Sequence, residues 1–210
     1  MLSEMARRDI RKTLIRLAEK HQRPGSGSSA EFLRRRTAMA VWPDLTPVLG
    51  DIPWAAIGAV ATRHYMPERA TGDLDAAVAA TDAQETRRRL VEAGFRHTGE
   101  LSLPGATWIS PEGGEVDVLE LEDPWAAEAL QEAQGNRDRQ GLPVEPLQYL
   151  VLLKFRAGRT VDIGDVTRIL GLANEAQVAA VRALFIREAP DELEDLDSLI
   201  RLGKLEMEGR

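Results

Sequence analysis

Two aspartates spaced two residues apart are the side chains in this sequence best suited to chemistry. Asp73 and Asp75 stand at the start of the short apolar segment LDAAVAA, whose pattern predicts a buried β-strand. Residues two apart on a strand point to the same side, so both carboxylates reach toward one point. The chain has no cysteine and only three scattered histidines. A metal site here would therefore consist mainly of carboxylates, which favour hard ions such as Mg²⁺ or Mn²⁺.

A third carboxylate, Asp117, lies in the middle of the predicted strand EVDVLEL. Its neighbours Val116 and Val118 point to the opposite side, into the core, so Asp117 faces out of that layer. If the two strands are adjacent, Asp117 joins the first two aspartates. Glu115 alternates onto the same side and is a competing ligand.

A glycine upstream of these strands has the position of a phosphate-binding turn. Gly58 ends the apolar run IPWAAIG, and the following residues predict a short helix over 59–65. Because glycine has no side chain, backbone N–H groups at such a turn can approach a phosphate closely.

The surrounding elements predict an α/β or α+β core with helices at both ends of the chain. The apolar spacing predicts a helix over residues 4–21, a joint at PGSGSS, and a second helix from near Ser29. Strands and helices then alternate, and a hairpin closed by PEGG joins ATWIS to EVDVLEL. After Asp123 all segments have helical periodicity. We expect a basic helical arm over 1–50, an α/β core over 51–123 and a helical domain over 124–210.

The charge is unevenly distributed along the chain. The net charge is −7, but residues 1–36 carry ten Lys/Arg against four Asp/Glu, and the rest of the chain is strongly acidic. The basic arm either contacts a polyanion or packs on the acidic surface of the body. An acidic body argues against nonspecific coating of nucleic acid, and no DNA partner is expected. No apolar segment approaches the roughly 18 residues of a membrane span, and the N-terminus lacks a signal-peptide pattern. We expect a soluble cytoplasmic protein without a membrane partner.

At these residues the chain resembles a known superfamily. The string IGAVATRHYMPERATGDLDAAV is similar to the first two motifs of polymerase-β-type nucleotidyltransferases, a small-residue pair that opens a helix and then a DxD. It more closely resembles the branch of the AbiE-type abortive-infection toxin (AbiEii-like), with its R-x-T-x-D-[IL]-D string. That string is represented here by Arg69, Thr71, Asp73, Leu74 and Asp75. The downstream segment LLKFRAGRTVDIGDV matches the same branch through Lys154, Arg159, Asp162 and Asp165. The likeness spans residues 52 to about 171.

The resemblance implies a mixed β-sheet flanked by helices and a Mg²⁺-dependent or Mn²⁺-dependent nucleotidyltransferase. Such an enzyme transfers an NMP from an NTP to a hydroxyl of RNA, for instance a tRNA end, or of a protein. The toxin branch further implies a cognate antitoxin. Asp73 and Asp75 would bridge two metal ions, and Asp117 would either bind the catalytic metal or accept the proton of the acceptor.

The resemblance also implies which residues contact the nucleotide. The amides at Gly58 and Ala59 would hold the β- and γ-phosphates, and Lys154 would place its ammonium on the triphosphate. Asp162 or Asp165 would orient Lys154 or the base. Arg69 and Thr71 would shape the phosphate entrance, and Arg63 would replace the lysine found in other members.

Each of these assignments has an alternative. Many members have Gly-Ser or Gly-Gly where this chain has Gly58 and Ala59, so the fold could bind a nucleotide or a partner without turnover. A further alternative is phosphoryl transfer from ATP. Lys154 could also extend from a core helix to water, and Asp162 could simply cap the helix VDIGDVTRIL.

Overall fold

The structure, a computed structural model, describes residues 4–21, 41–66 and 73–208. The chain forms two compact units. The sheet unit comprises residues within 35–64 and 68–146, and the helical unit comprises residues within 1–34, 65–67 and 147–210. The predicted boundaries after residues 50 and 123 stay a prediction. The second helix predicted from Ser29 lies outside the described residues.

Within the described residues, the sheet unit is built on five strands. They are β1 (Trp54–Ala56), β2 (Leu74–Ala79), β3 (Arg96–Glu100), β4 (Gly105–Ile109) and β5 (Glu115–Leu121). The strand order is β1-β2-β5-β4-β3. Only β2 and β5 run parallel, and the other neighbours are antiparallel. The predicted α/β class with a mixed sheet and flanking helices is confirmed.

The helices that the structure describes beside this sheet are α2 (Thr46–Leu49), α3 (Gly58–Tyr65), α4 (Ala83–Glu92) and α5 (Ala126–Ala133). One face of the sheet packs on α2, α4 and residues 41–45, and together they form a continuous apolar core. Every second residue of a strand points to this face. Trp54 and Trp108 are buried in this core, and Trp42 packs at its margin. These tryptophans therefore stabilise the fold.

The helical unit contains α1 (Glu4–His21), α6 (Leu147–Ala157), α7 (Thr160–Leu172), α8 (Glu175–Glu188) and α9 (Leu193–Met207). Their buried faces form an apolar core in which Phe155 and Phe185 meet edge to face, with ring centroids 5.0 Å apart. Among the described residues, no helix has both the length and the apolarity needed to cross a bilayer.

The basic helix α1 is attached to acidic residues of its own unit. The Arg11 guanidinium is buried, lies 4.0 Å from the centroid of the Phe155 ring and forms ion pairs with Glu192 and Asp195. Arg8 also pairs with Glu192, at 3.7 Å. The sequence left open whether the basic arm contacts a polyanion or packs on the chain's own acidic surface. Arg8 and Arg11 do the second. Residues 22–36 of the arm lie outside the described residues.

A buried carboxyl in the sheet unit makes stability depend on pH. Glu145 is fully buried, and its backbone N–H donates to the carbonyl of Ala56 at 3.0 Å. Burial, and secondarily the charge of Glu132, raises the pKa of Glu145 from 4.5 to about 8. Between these values the folded chain holds a proton that the unfolded chain has released, so the free energy of unfolding falls as pH rises toward about 8.

We expect Glu145→Gln to remove much of this decline, because the amide has no charge to desolvate. Urea unfolding of both proteins at about pH 5 and about pH 8 measures the difference. Glu132→Gln is the control and should keep most of the decline, since burial is the larger cause. Equal pH slopes for the wild type and Glu145→Gln would contradict the prediction.

Candidate functional site

Three carboxylates of the sheet unit converge at one end of the two parallel strands. One ligand oxygen from each of Asp73, Asp75 and Asp117 lies within 4.8 Å of the others, and all three residues are half-buried. Asp75 on β2 and Asp117 on β5 are direct partners in the register of the parallel pair. Asp73 immediately precedes β2 and points to the same side as Asp75 by alternation. The pairing of β2 with β5 thus brings together the three aspartates that the sequence singled out.

The competing ligand Glu115 is not part of this group. Glu115 is the first residue of β5 and is exposed, whereas Asp73, Asp75 and Asp117 are half-buried. Within the described part of the chain, the three aspartates are the only set of three His, Cys, Asp or Glu residues close enough to hold one metal ion.

The turn at Gly58 lies directly against this cluster. Gly58 has a φ of +56°, in the left-handed region that favours glycine. A Cβ added to it would lie 2.7 Å from Cγ of Asp75 and closer still to one of its carboxylate oxygens. The Ile57 N–H donates to the Asp75 carbonyl at 2.8 Å and holds the turn beside β2. The absence of a side chain at Gly58 therefore leaves the space that the Asp75 carboxylate occupies.

The helix α3 begins at this glycine, one residue earlier than predicted. Its first amides, including that of Ala59, lie at the helix end next to Asp75, and amides of a first turn lack acceptors within the helix. A helix N-terminus also carries a partial positive charge. Arg63 lies half-buried in the last turn, about 7 Å farther along the axis. Ala59 is thus placed beside the cluster, and Arg63 lies farther along the same helix.

A hydroxyl that the sequence reasoning did not single out contacts the cluster. Thr107 on β4 is the register partner of Asp117, and its Oγ1 donates to Oδ1 of Asp117 at 2.6 Å. The predicted PEGG turn, between Ser110 and Glu115, would set Trp108 opposite Asp117. In the structure Ser110 pairs with Gly114 instead, and this register places Thr107 there.

The donor set fits a hard divalent cation. Three carboxylates within reach of one another, with no sulfur or imidazole among them, are ligands that suit Mg²⁺ or Mn²⁺. The three negative charges also repel one another, so a cation among them would relieve that repulsion. Asp73, Asp75 and Asp117 are the residues that would hold it.

The downstream motif forms its own cluster in the helical unit. Lys154 is buried on α6, and its Nζ donates to Asp165 Oδ2 at 2.7 Å and to Asp162 Oδ1 at 3.3 Å, both on α7. Arg159 donates to the second oxygen of Asp162 at 2.6 Å. Lys154 and the two carboxylates are buried as a hydrogen-bonded group, and the exposed Arg159 adds a second cation for Asp162.

These contacts decide one of the alternatives for this motif. The helix α7 begins at Thr160 with Arg159 at its N-cap, so the expectation that Asp162 caps the helix is wrong. Asp162 instead lies in the first turn, where its side chain binds Lys154 and Arg159. The contact of Lys154 with a triphosphate stays a prediction. The predicted residues Arg69 and Thr71 lie outside the described residues.

The turn at Gly58 supports a test of the cluster. We expect Gly58→Ala to abolish or strongly weaken Mn²⁺ binding, because the new Cβ would displace the Asp75 carboxylate. Electron paramagnetic resonance of free Mn²⁺ measures the affinity. The matched control is Gly141→Ala, with a φ of +88° and nothing within 4 Å of the added Cβ. Both variants bear a backbone cost of about 1–2 kcal/mol, and only Gly58→Ala should lose the metal. Retention of the wild-type affinity in Gly58→Ala would count against the site.

No family model matches this sequence, and no curated protein sequence matches it. Among solved structures, the chain is similar to the antibiotic-resistance factor ANT(2″)-Ia in complex with adenylyl-2″-tobramycin. The identity is 16% over 72% of this chain and 88% of that chain, with a TM-score of 0.40. A solution structure of the same factor gives 16% identity, coverage of 73% and 83%, and a TM-score of 0.39.

The Cid1 poly(U) polymerase is a further similar structure. It has 15% identity over 79% of this chain and 54% of that chain, with a TM-score of 0.32, so this chain spans about half the length of Cid1. These structural neighbours are nucleotidyltransferases. All of these TM-scores are below 0.5.

Proposed function

We propose that this chain is a Mg²⁺-dependent nucleotidyltransferase that transfers an NMP from an NTP to a hydroxyl acceptor. The convergence of Asp73, Asp75 and Asp117 beside the N-terminus of α3 carries this proposal. The order of motifs along the chain, a glycine turn and then a DxD, supports it independently.

The charges of the site suit this reaction. Divalent ions bound at the cluster would neutralise triphosphate charge and polarise the attacking and leaving oxygens. Asp73, Asp75 and Asp117 would hold these ions, and the amides of Gly58 and Ala59 would bind phosphate oxygens at the positive end of α3. The acceptor oxygen bonds to the α-phosphorus, the bond from that phosphorus to the bridging oxygen of the β-phosphate breaks, and pyrophosphate leaves. The hydroxyl proton passes to a carboxylate of the cluster or to solvent.

The resemblance suggests roles around the triphosphate for the remaining motif residues. It would place the Lys154 ammonium on a phosphate; in the structure this ammonium is bound to Asp162 and Asp165. By the same resemblance, Arg69 and Thr71 would shape the phosphate entrance, and Arg63 would take the place of the lysine found in the superfamily.

The acceptor that we propose is RNA, with a tRNA end as the first candidate and a protein hydroxyl as the second. The resemblance to the AbiEii-like branch further suggests a toxin with a cognate antitoxin. Basic residues of the N-terminal arm other than Arg8 and Arg11, which pair with acidic residues of their own unit, would contact the polyanionic acceptor in a brief, site-directed encounter.

The test is a transfer assay with the purified full chain. Each α-labelled NTP is incubated with Mg²⁺ or Mn²⁺ and either total tRNA or a protein extract, and the labelled product and the released phosphate species are identified. We expect label in RNA or protein together with pyrophosphate, and none of either in excess EDTA.

Other outcomes separate the alternatives. Release of ADP from ATP, with the γ-phosphate on the acceptor, would assign the chain to phosphoryl transfer instead. Calorimetry that shows Mg²⁺-dependent NTP binding, in a protein that transfers no label, would support a nucleotide-binding protein without catalytic turnover. Ala59 favours this second candidate, because it lacks the hydroxyl found in many members of the superfamily.

A further inference from the structure

The hydroxyl of Thr107 has no role in the function proposed above, yet it contacts one of the three carboxylates. Thr107 lies half-buried in the middle of β4, opposite Asp117 in the antiparallel register. Its Oγ1 donates to Oδ1 of Asp117 at 2.6 Å. This distance is short for a hydroxyl donor and typical of a hydrogen bond to an ionised acceptor.

Asp117 stands between two unlike neighbours in one row across the sheet. On β2 its direct partner is Asp75, a like charge, and on β4 its partner is the Thr107 hydroxyl. Like charges opposite each other on neighbouring strands repel. The hydrogen bond from the Thr107 hydroxyl holds one oxygen of Asp117 in place against this repulsion and limits rotation of the carboxylate. The second oxygen of Asp117 is then left to bind a cation.

Thr107 is itself held in place. A β-branched side chain has few allowed χ1 rotamers, so the hydroxyl direction is restricted. On its other side, Thr98 Oγ1 donates to the Thr107 carbonyl at 3.1 Å, which ties β4 to β3. The donor that reaches Asp117 is therefore fixed by the sheet before any cation binds.

We propose that Thr107 is a positioning residue, which orients the Asp117 carboxylate for divalent-cation binding. This inference rests on the metal-binding part of the proposed function and not on the transfer reaction. Partners that orient a metal ligand commonly change metal affinity by about 10- to 100-fold when removed.

The test compares two deletions of the Thr107 hydroxyl with one conservative change and one control deletion at Thr98. Thr107→Val removes the hydroxyl and keeps the branched shape, Thr107→Ala removes it in a smaller side chain, and Thr107→Ser keeps the donor. Thr98→Val is the matched control, because its hydroxyl bonds to the Thr107 backbone and not to the carboxylate. Each full-length protein is titrated with Mn²⁺ without nucleotide, and free Mn²⁺ is read by electron paramagnetic resonance.

We expect Thr107→Val and Thr107→Ala to bind Mn²⁺ about 10-fold more weakly than the wild type. Thr107→Ser and Thr98→Val should stay close to the wild-type affinity. If Thr107→Val does not fold, Thr107→Ala gives the same comparison. Wild-type affinity in a folded variant that lacks the Thr107 hydroxyl overturns the inference, and so does an equal loss in Thr98→Val.

The outcomes also separate this inference from the proposed function. A wild type that binds Mn²⁺ but transfers no nucleotide contradicts the nucleotidyltransferase, and the Thr107 comparison still decides the inference. A wild type that binds no Mn²⁺ overturns both.

Discussion

Replacing Asp75 with Asn is expected to lower nucleotidyl transfer by at least about 10³-fold. The amide keeps the shape of the side chain and removes one of the three charges that hold the metal ions. Metal ions contribute several kcal/mol to stabilising the transition state, and about 1.4 kcal/mol corresponds to a tenfold change in rate. Initial rates of label transfer at saturating Mg²⁺ and NTP measure the loss.

The same substitution should leave the metal-free protein at least as stable as the wild type. Asp75 and Asp117 are direct register partners, and like charges opposite each other on neighbouring strands destabilise a sheet. Thermal unfolding in EDTA should therefore show an equal or higher midpoint for Asp75→Asn. This combination, lost transfer with retained stability, separates a metal ligand from a residue that supports the fold.

Glu115→Gln is the matched control for this prediction. Glu115 lies on the same strand and side as Asp117, is exposed and is outside the cluster. Its amide variant should transfer at close to the wild-type rate. Transfer that persists in Asp75→Asn would contradict the role of the cluster.

Replacing Gly203 with Ala is expected to destabilise the helical unit by about 2–3 kcal/mol or more. Gly203 on α9 lies against Gly171 on α7, where the two helices approach backbone to backbone. A Cβ on Gly203 would lie 2.7 Å from the Gly171 nitrogen and closer still to the Thr167 carbonyl oxygen. Both are backbone atoms, so relief of the overlap requires the helices to separate. Urea unfolding measures the free-energy change.

Gly164→Ala is the control in the same helix as Gly171. It lies within α7, and an added Cβ meets nothing within 4 Å. Alanine there should stabilise the protein by about 0.5–1 kcal/mol, because it restricts the unfolded chain and favours the helix. A Gly203→Ala variant as stable as the wild type would show that α7 and α9 can separate at little cost.

Local patterns in the sequence were sufficient to predict the elements that carry the site. The alternation around Asp117 predicted that it faces away from Val116 and Val118, and the structure has this alternation in β5. The strand containing Asp75 and the short helix after Gly58 also follow the prediction closely. These features depend on residues near one another along the chain, where the period of the apolar residues is a direct consequence of backbone geometry.

The sequence did not predict the contacts between distant segments. The predicted PEGG turn would set Trp108 opposite Asp117, whereas the observed pairing of Ser110 with Gly114 sets Thr107 there. Nothing local indicates that Gly171 meets Gly203, because that contact depends on the crossing of two helices. The same applies to Lys154, whose apolar surroundings did not reveal that both Asp162 and Asp165 bind it.

By itself, the sequence determined the residue types of the site: two carboxylates at the start of one strand and a third within another, a glycine at a turn, and no cysteine to compete for a soft metal. Only the tertiary structure decided that they meet. The parallel pairing of β2 with β5 sets Asp75 beside Asp117. Gly58, with its left-handed backbone and no side chain, leaves the space that the Asp75 carboxylate occupies beside α3. Parallel pairing is non-local, since its register is set by the packing of the intervening helix and strands and not by a turn.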